Sequence, residues 1–180
     1  MLGFSSIAQA GYILIGFSAG TVLGIKSALF YILVYVLMNL GAFGCVALIS
    51  DSLQSDAIED YAGLHKRDPI SAFMLTLFLL SLAGIPPLAG FLGKFLLFAA
   101  AIDSKLILLA IAAAINSVIA FYYYVNVIKC MYFNPAKNSA AAPKSAALQI
   151  ALIITLIGIL IVGIWPGPFL QLVNAATMNY

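Results

Sequence analysis

Lys94 stands seven residues beyond the pair Pro86-Pro87, in the stretch LAGIPPLAGFLGKF (82–95), inside a long apolar run. Seven residues are about 10 Å of helix. A lysine held that far into an apolar run costs about 2.5–3.5 kcal/mol on insertion scales, and such residues face a bundle interior or a wet cavity. Burial disfavours the charged form of an amine, so a lysine there is suited to gaining and losing a proton during a cycle. The competing reading is a lysine that snorkels to the interface. Other chemistry finds little support. His65 is the single histidine, and Cys45 and Cys130 lie far apart in apolar runs, where they read as buried thiols and not as part of a metal cluster. There is no nucleotide-binding glycine motif, nucleophile elbow or kinase signature. Neither a cofactor nor redox or hydrolytic chemistry is expected within this chain.

Further polar side chains interrupt the apolar runs. Ser5, Ser6, Gln9 and Tyr12 fall in the first, Tyr35 and Asn39 in the second, and Asn116, Ser117, Tyr123 and Asn126 in a later one. Tyr35 and Asn39 share a helical face at i, i+4, and Asn116 and Tyr123 share one at i, i+7. Gln9, Tyr35, Asn39, Asn116 and Tyr123 are the candidates for a polar path supporting Lys94, with Asn39 and Tyr123 as its candidate partners. The alternative is that these groups make interhelical hydrogen bonds worth about 0.6 kcal/mol each.

The elements that must hold these residues are helices in a membrane. Hydrophobic residues make up 64% of the 180 and charged residues 8%, against about 25% charged in a soluble domain. A net charge of +2 gives no reason to expect nucleic acid. The runs lack the alternation of a membrane barrel, and the N-terminal stretch lacks the basic start of a signal peptide. Runs of roughly 20 apolar residues can cross about 30 Å of hydrocarbon. They predict spans at 4–24, 28–50, 106–133 and 147–165, with an anomalous segment at 71–102 broken at Gly84, Pro86 and Pro87.

Prolines remove helix donors and clash with the preceding turn. The backbone groups they free are tolerated only beside protein or a water-filled cavity. The break therefore marks either a packing kink or a transporter-like discontinuous helix.

Charge decides how often 71–102 crosses. One crossing puts Lys66, Arg67, Lys129, Lys137 and Lys144 on one side and Lys26 and Lys105 on the other; a hairpin gives three against four. The positive-inside rule favours the first arrangement. The expected fold is an all-α polytopic transmembrane bundle of five spans, the third broken at Gly84-Pro87. Its N-terminus is cytoplasmic and its C-terminus outside. Gly16, Gly20 and Gly24 make overlapping GxxxG steps that predict close helix contact. Tyr122, Tyr123, Tyr124 and Trp165 are candidate interface anchors. The loop at 50–69, with Asp56, Glu59, Asp60, His65, Lys66, Arg67 and Asp68, reads as solvated or subunit-contacting.

The segments SSIAQAGYILIG, YVLMNLGAFG, DYAGLHKRDP, SLAGIPPLAGFLGKF and FYYYVNVIKCMYF follow one another in that order. Together they resemble the C-terminal part of subunit N of proton-pumping NADH:quinone oxidoreductase (respiratory complex I), over essentially the whole chain. Subunits of multi-subunit cation/proton antiporters and of membrane-bound hydrogenases carry similar stretches around the break and remain the alternative. The resemblance implies that residues 1–180 form one transmembrane domain matching helices ten to fourteen, the second of two inverted five-helix repeats. It implies that Lys94 is the proton-relay residue of a half-channel open to the outer side. It also implies a non-redox membrane subunit in the bacterial inner membrane that reaches NADH and quinone only through other complex I subunits. Many members carry a histidine where Gln9 stands, so Gln9 itself is not expected to titrate. The first repeat's ionisable residues have no counterpart here. The chain reads as a fragment or half of a split gene, which alone should not pump.

Overall fold

Glycine, proline and capping side chains punctuate a chain that is otherwise apolar enough to be helical throughout. The structure, a computed structural model, describes residues 1–136 and 145–177. These form helices, with no strand among the described residues: α1 (Leu2–Ser18), α2 (Val22–Leu53), a 3-10 turn (Ile58–Tyr61), α3 (Leu64–Arg67), α4 (Pro69–Ala83), α5 (Ala89–Asp103), α6 (Ile107–Phe133), α7 (Ala146–Ile164) and α8 (Gly167–Ala176). Helices α2, α6 and α7 are long and apolar enough to cross a membrane, at 32, 27 and 19 residues. Lys137 and Lys144, two of the charges used to orient the chain, lie outside the described residues.

Three boundaries differ from expectation, and the second helix runs over Val22–Leu53 rather than 28–50. The first helix ends at Ser18, well before residue 24, because Gly20 adopts φ +64 and Thr21 caps α2 by accepting from the Gly24 N–H at 3.1 Å. The glycine steps are therefore split across a hairpin: Gly16 lies on α1, Gly24 on α2, and Gly20 makes the turn. The close contact is real, since a Cβ on Gly16 would sit 2.7 Å from the Gly24 carbonyl oxygen. Beyond the last expected span, α8 adds ten residues. Its Gln171 and Asn174 interrupt the apolar run on which spans are read.

The segment 71–102 is two helices of 15 residues each. Asp68 caps α4 by accepting from the Ser71 N–H at 3.1 Å, and Pro69 opens the helix. Gly84, at φ +91, ends it, with its N–H on the carbonyls of Leu80 (3.1 Å) and Ser81 (3.0 Å). The chain then passes a cis Pro86-Pro87 peptide and re-enters helix at Ala89. The interruption falls at the Gly84–Pro87 stretch that the sequence marks.

Helix α2 is the hub, packed against α1, α4, α5 and α7. Phe30, Val34 and Met38 of α2 meet Phe78, Leu79 and Leu82 of α4 in a fully buried cluster. Lipid is as apolar as these side chains, so close packing carries the association. Gly41 leaves the space that the Phe78 ring fills. Tyr124 corrects an expectation: its side chain is wholly buried in this core and is no interface anchor, whereas Tyr122 and Trp165 are exposed.

In the loop at 50–69, Asp56, Asp60 and Arg67 bond within the loop itself. Ser50 donates to the Asp56 carboxylate (2.5 Å) and Ser55 to that of Asp60 (2.6 Å). Arg67 donates to the carbonyls of Asp60 (2.9 Å) and Ala62 (3.2 Å). His65 pairs its Nδ1 with the Met131 carbonyl at 2.9 Å and stacks on Tyr132. Lys66 and Arg67 thus share one end of the bundle with the C-terminal turns of α6. Tyr61 is buried under this loop, and burial, with Asp56 second, pushes its phenol up to about 12.

Candidate functional site

A helix end leaves its last carbonyls without intrahelical donors. In α4 the Leu80 and Ser81 carbonyls take the N–H groups of Gly84 and Ile85, while those of Leu82 and Ala83 look to side chains. Lys94, one and a half turns into α5, supplies the donor. Its side chain is 4% exposed. Its Nζ donates to the Leu82 carbonyl at 2.9 Å, the Ala83 carbonyl at 3.1 Å and the Ser117 hydroxyl of α6 at 3.0 Å. Three N–H bonds meet three acceptors, which is full satisfaction for an ammonium. All three acceptors are neutral. What favours the cation is the negative end of the α4 dipole and the face of the Tyr12 ring, 4.7 Å from Nζ to its centroid.

The two halves of the break hold each other reciprocally. Ser81 of α4 accepts from the Gly90 N–H in the first turn of α5 at 3.2 Å, while Lys94 of α5 covers the end of α4. Gly84 makes room as well as turning the chain, since a Cβ there would come within 3.1 Å of Lys94 Cδ.

A polar network continues from the break into α1, α2 and α6. Gln9 Nε2 donates to the Leu82 carbonyl and to the Tyr124 hydroxyl, each at 3.3 Å. Tyr31 donates to Gln9 Oε1, and Tyr124 is hydrogen-bonded to Ser5. The Tyr12 hydroxyl donates to the Ala113 carbonyl (3.1 Å) and accepts from Asn116 Nδ2 (3.2 Å).

Of the residues singled out from sequence, Lys94, Gln9, Asn116 and Gly84 come together here, while Pro86 and Pro87 stay exposed in the link between α4 and α5. Tyr35 and Tyr123 lie beside the network, near Tyr31 and Tyr124, and Asn39 faces elsewhere. Asn39 lines a groove towards α7 with Gly44, Leu148, Leu152 and Thr155. Tyr123 is half-buried, edge-on to Tyr124 at 4.6 Å. The partners of Lys94 are Leu82, Ala83, Ser117 and the Tyr12 ring, and not Asn39 or Tyr123. Spacing along one helix says which residues share a face, but not which neighbour that face meets. Tyr31, Tyr124 and the two carbonyls were missed as site groups. The one available signal was the helix end at Gly84, which obliges nearby donors to exist.

Among the described residues no three His, Cys, Asp or Glu side chains gather to hold a metal ion. A cavity of about 220 Å³ lined by Met1, Leu2, Phe43, Asp56, Ile58 and Tyr61 lies away from Lys94, towards the 50–69 loop. The chemistry available at the break is that of one enclosed amine, which can hold or release a proton.

Fold and site together define a membrane helix bundle with a buried lysine at the junction of α4 and α5. The family model for the transmembrane region of NADH:quinone oxidoreductase and Mrp antiporters matches residues 1–120. The chain belongs to this family. It is 43% identical over 180 residues to NADH-quinone oxidoreductase subunit N of Desulforamulus reducens, covering all of this chain and 38% of that one. Respiratory complex I from Thermus thermophilus, solved with bound aureothin, contains a chain that superposes with a TM-score of 0.81 at 31% identity, over 94% of this chain and 38% of its own. The archaeal membrane-bound sulfane sulfur reductase contains one with a TM-score of 0.90 at 28% identity, over 98% of this chain and 36% of its own. The chain spans about 38% of the length of the curated relatives it matches.

Proposed function

We propose that this chain is the C-terminal part of subunit N of a bacterial NADH:quinone oxidoreductase, and that Lys94 carries a proton-exchanging step of its membrane arm. The observation that carries this reading is the enclosed Lys94 ammonium at the α4–α5 break, held by three neutral acceptors. No fixed carboxylate is among them to keep the proton in place. Likeness to subunit N along the whole chain supports the choice of complex.

In this reading residues 1–180 are one transmembrane domain, the second repeat of an antiporter-like subunit. Its five spans are α1, α2, α4 with α5, α6, and α7. The interrupted third crossing is supported by Ser117, near the middle of α6, reaching the break from alongside. Each half alone is about 22 Å long, short for a crossing. The cluster of Lys66 and Arg67 at the α6 C-terminal end supports a cytoplasmic 50–69 loop and N-terminus, with the C-terminus outside the inner membrane.

The chain binds no cofactor of its own. Its partners are other complex I membrane subunits, the lipid bilayer and protons, and other subunits handle NADH and quinone. A subunit of a cation/proton antiporter or membrane-bound hydrogenase would use the same lysine without NADH. Co-purification with flavin and iron–sulfur proteins separates these readings.

The test is Lys94→Met in the full-length subunit, assembled in its complex in inverted membrane vesicles. NADH-driven proton uptake is expected to fall at least about tenfold, the loss of one proton-transfer group. Wild-type uptake would refute the role.

A further inference from the structure

Each of the two carbonyls under Lys94 has a second donor, and each second donor comes from a different helix. The Leu82 carbonyl, 2.9 Å from Nζ, also receives Gln9 Nε2 of α1 at 3.3 Å. The Ala83 carbonyl, 3.1 Å from Nζ, also receives the Ser117 hydroxyl of α6 at 3.4 Å. A carbonyl oxygen has two lone pairs and can hold both donors at once. Because a carbonyl only accepts, it fixes the Gln9 amide with nitrogen towards Leu82 and oxygen towards the Tyr31 hydroxyl.

This doubling matters when the amine moves. A buried carbonyl stranded without a donor is costly, so a helix end that depended on the lysine alone would lock it in place. We propose that Gln9 is a positioning residue for Lys94: its amide shares the Leu82 carbonyl with the ammonium, loosens the helix end's hold on it, and keeps that carbonyl bonded when the amine swings away. Ser117 serves Ala83 in the same manner, but it also accepts from Nζ, so its removal has two opposed effects. Gln9 acts in one direction only. The inference rests on Lys94 being the proton-exchanging group.

The titratable groups facing Lys94 are few. Helix α1 presents Tyr12, and α2 presents Tyr31, packed on Gly93 and bonded to Gln9. Helix α6 presents Ser117, with Asn116 behind Tyr12 and Tyr124 reached through Gln9. Helix α4 offers carbonyls and Ser81, and α7 carries no titratable side chain.

The experiment compares Gln9→Leu and Gln9→Met in the full-length subunit, assembled in its complex in inverted vesicles, by the pH profile of NADH-driven proton uptake at matched amounts of complex. In Gln9→Leu the Leu82 carbonyl is left to the ammonium alone. Uptake at neutral pH is expected to fall about tenfold and the alkaline limb to move up by about one pH unit. Gln9→Met keeps the length and volume of the side chain and loses the amide donor without adding a charge, so its limb should move the same way and about as far. If Gln9 merely filled space, Gln9→Met would keep the wild-type profile. Gln9→Met is the closer match in shape and carries the test alone should Gln9→Leu fail to assemble. Wild-type or acid-shifted profiles, alongside an inactive Lys94→Met, overturn the sharing role and leave Lys94 in place. Wild-type uptake by Lys94→Met overturns the reading beneath it.

Discussion

Lys94 caps Ala83, eleven residues earlier in the chain and on the other side of the break, with Nζ 3.1 Å from the carbonyl oxygen. The donor that α4 lacks in sequence is thus supplied by the helix that resumes after it. The cost of a buried cation is offset by three acceptors and a helix terminus, and the cost of an unfinished helix is offset by the cation.

Removing the amine should hurt function far more than stability. Lys94→Met relieves the burial of a charge, and the Leu82 and Ala83 carbonyls keep Gln9 and Ser117 as donors. The expected change in stability is within about 1 kcal/mol, because no buried acceptor is stranded. Thermal unfolding of the solubilised complex and the amount of assembled subunit should match the wild type. A large drop in either would mean that the second donors do not suffice.

Gly84→Ala should be damaging in two ways. At φ +91 an alanine costs about 1–2 kcal/mol of backbone strain. Its Cβ would also press on Lys94 Cδ, 3.1 Å away, and shift the amine from its acceptors. Melting temperature and proton uptake should fall together. Gly11→Ala is the control: a helical glycine with nothing within 4 Å of its Cβ, where alanine should stabilise by about 0.5–1 kcal/mol. If Gly84→Ala behaves like Gly11→Ala, the left-handed turn is not needed.

The contrast between these glycines shows what was legible in the sequence. Gly84 beside Pro86-Pro87 is a local backbone signal, so the break could be placed from residue types alone. Lys94 stood out because a charge in an apolar run is rare for a physical reason. Its partners did not stand out. Two are backbone carbonyls, which every residue has, and Ser117 and Tyr12 come from other helices whose rotation a nearly uniform apolar pattern does not fix. Asn39 shares a helical face with Tyr35, yet it opens towards α7. Gly16, Gly20 and Gly24 carry the spacing of a helix–helix contact face on a single helix, and only the positive φ of Gly20 reveals that the spacing spans a turn.

That turn supplies another prediction. A Cβ on Gly16 would lie 2.7 Å from the Gly24 carbonyl oxygen and 2.8 Å from the Ala28 Cβ. Neither is the end of a flexible side chain, so α1 and α2 must separate. Gly16→Ala should cost about 1–3 kcal/mol, as overpacking does, and lower the amount of assembled subunit. Unchanged assembly and melting temperature would show that the hairpin opens without penalty.

The 50–69 loop offers a pH-dependent test away from the lysine. Tyr61 is 4% exposed, and burial holds its phenol at about 12, above its ordinary value of 10.0. Below about pH 10 the phenol is neutral in folded and unfolded chains alike, and the stability linked to it is fully present. Between about pH 10 and 12 the unfolded chain loses this proton first, so that stability falls as pH rises and is gone above the folded value. Tyr61→Phe removes the linkage. Wild type and variant should differ by a constant amount below about pH 10 and the variant should gain on the wild type above it, as read from thermal unfolding of the solubilised complex. The tyrosinate absorbance lost in Tyr61→Phe should appear only towards pH 12. Ionisation of this phenol near its ordinary value would mean that the loop admits water to Tyr61 and does not seal the end of the bundle.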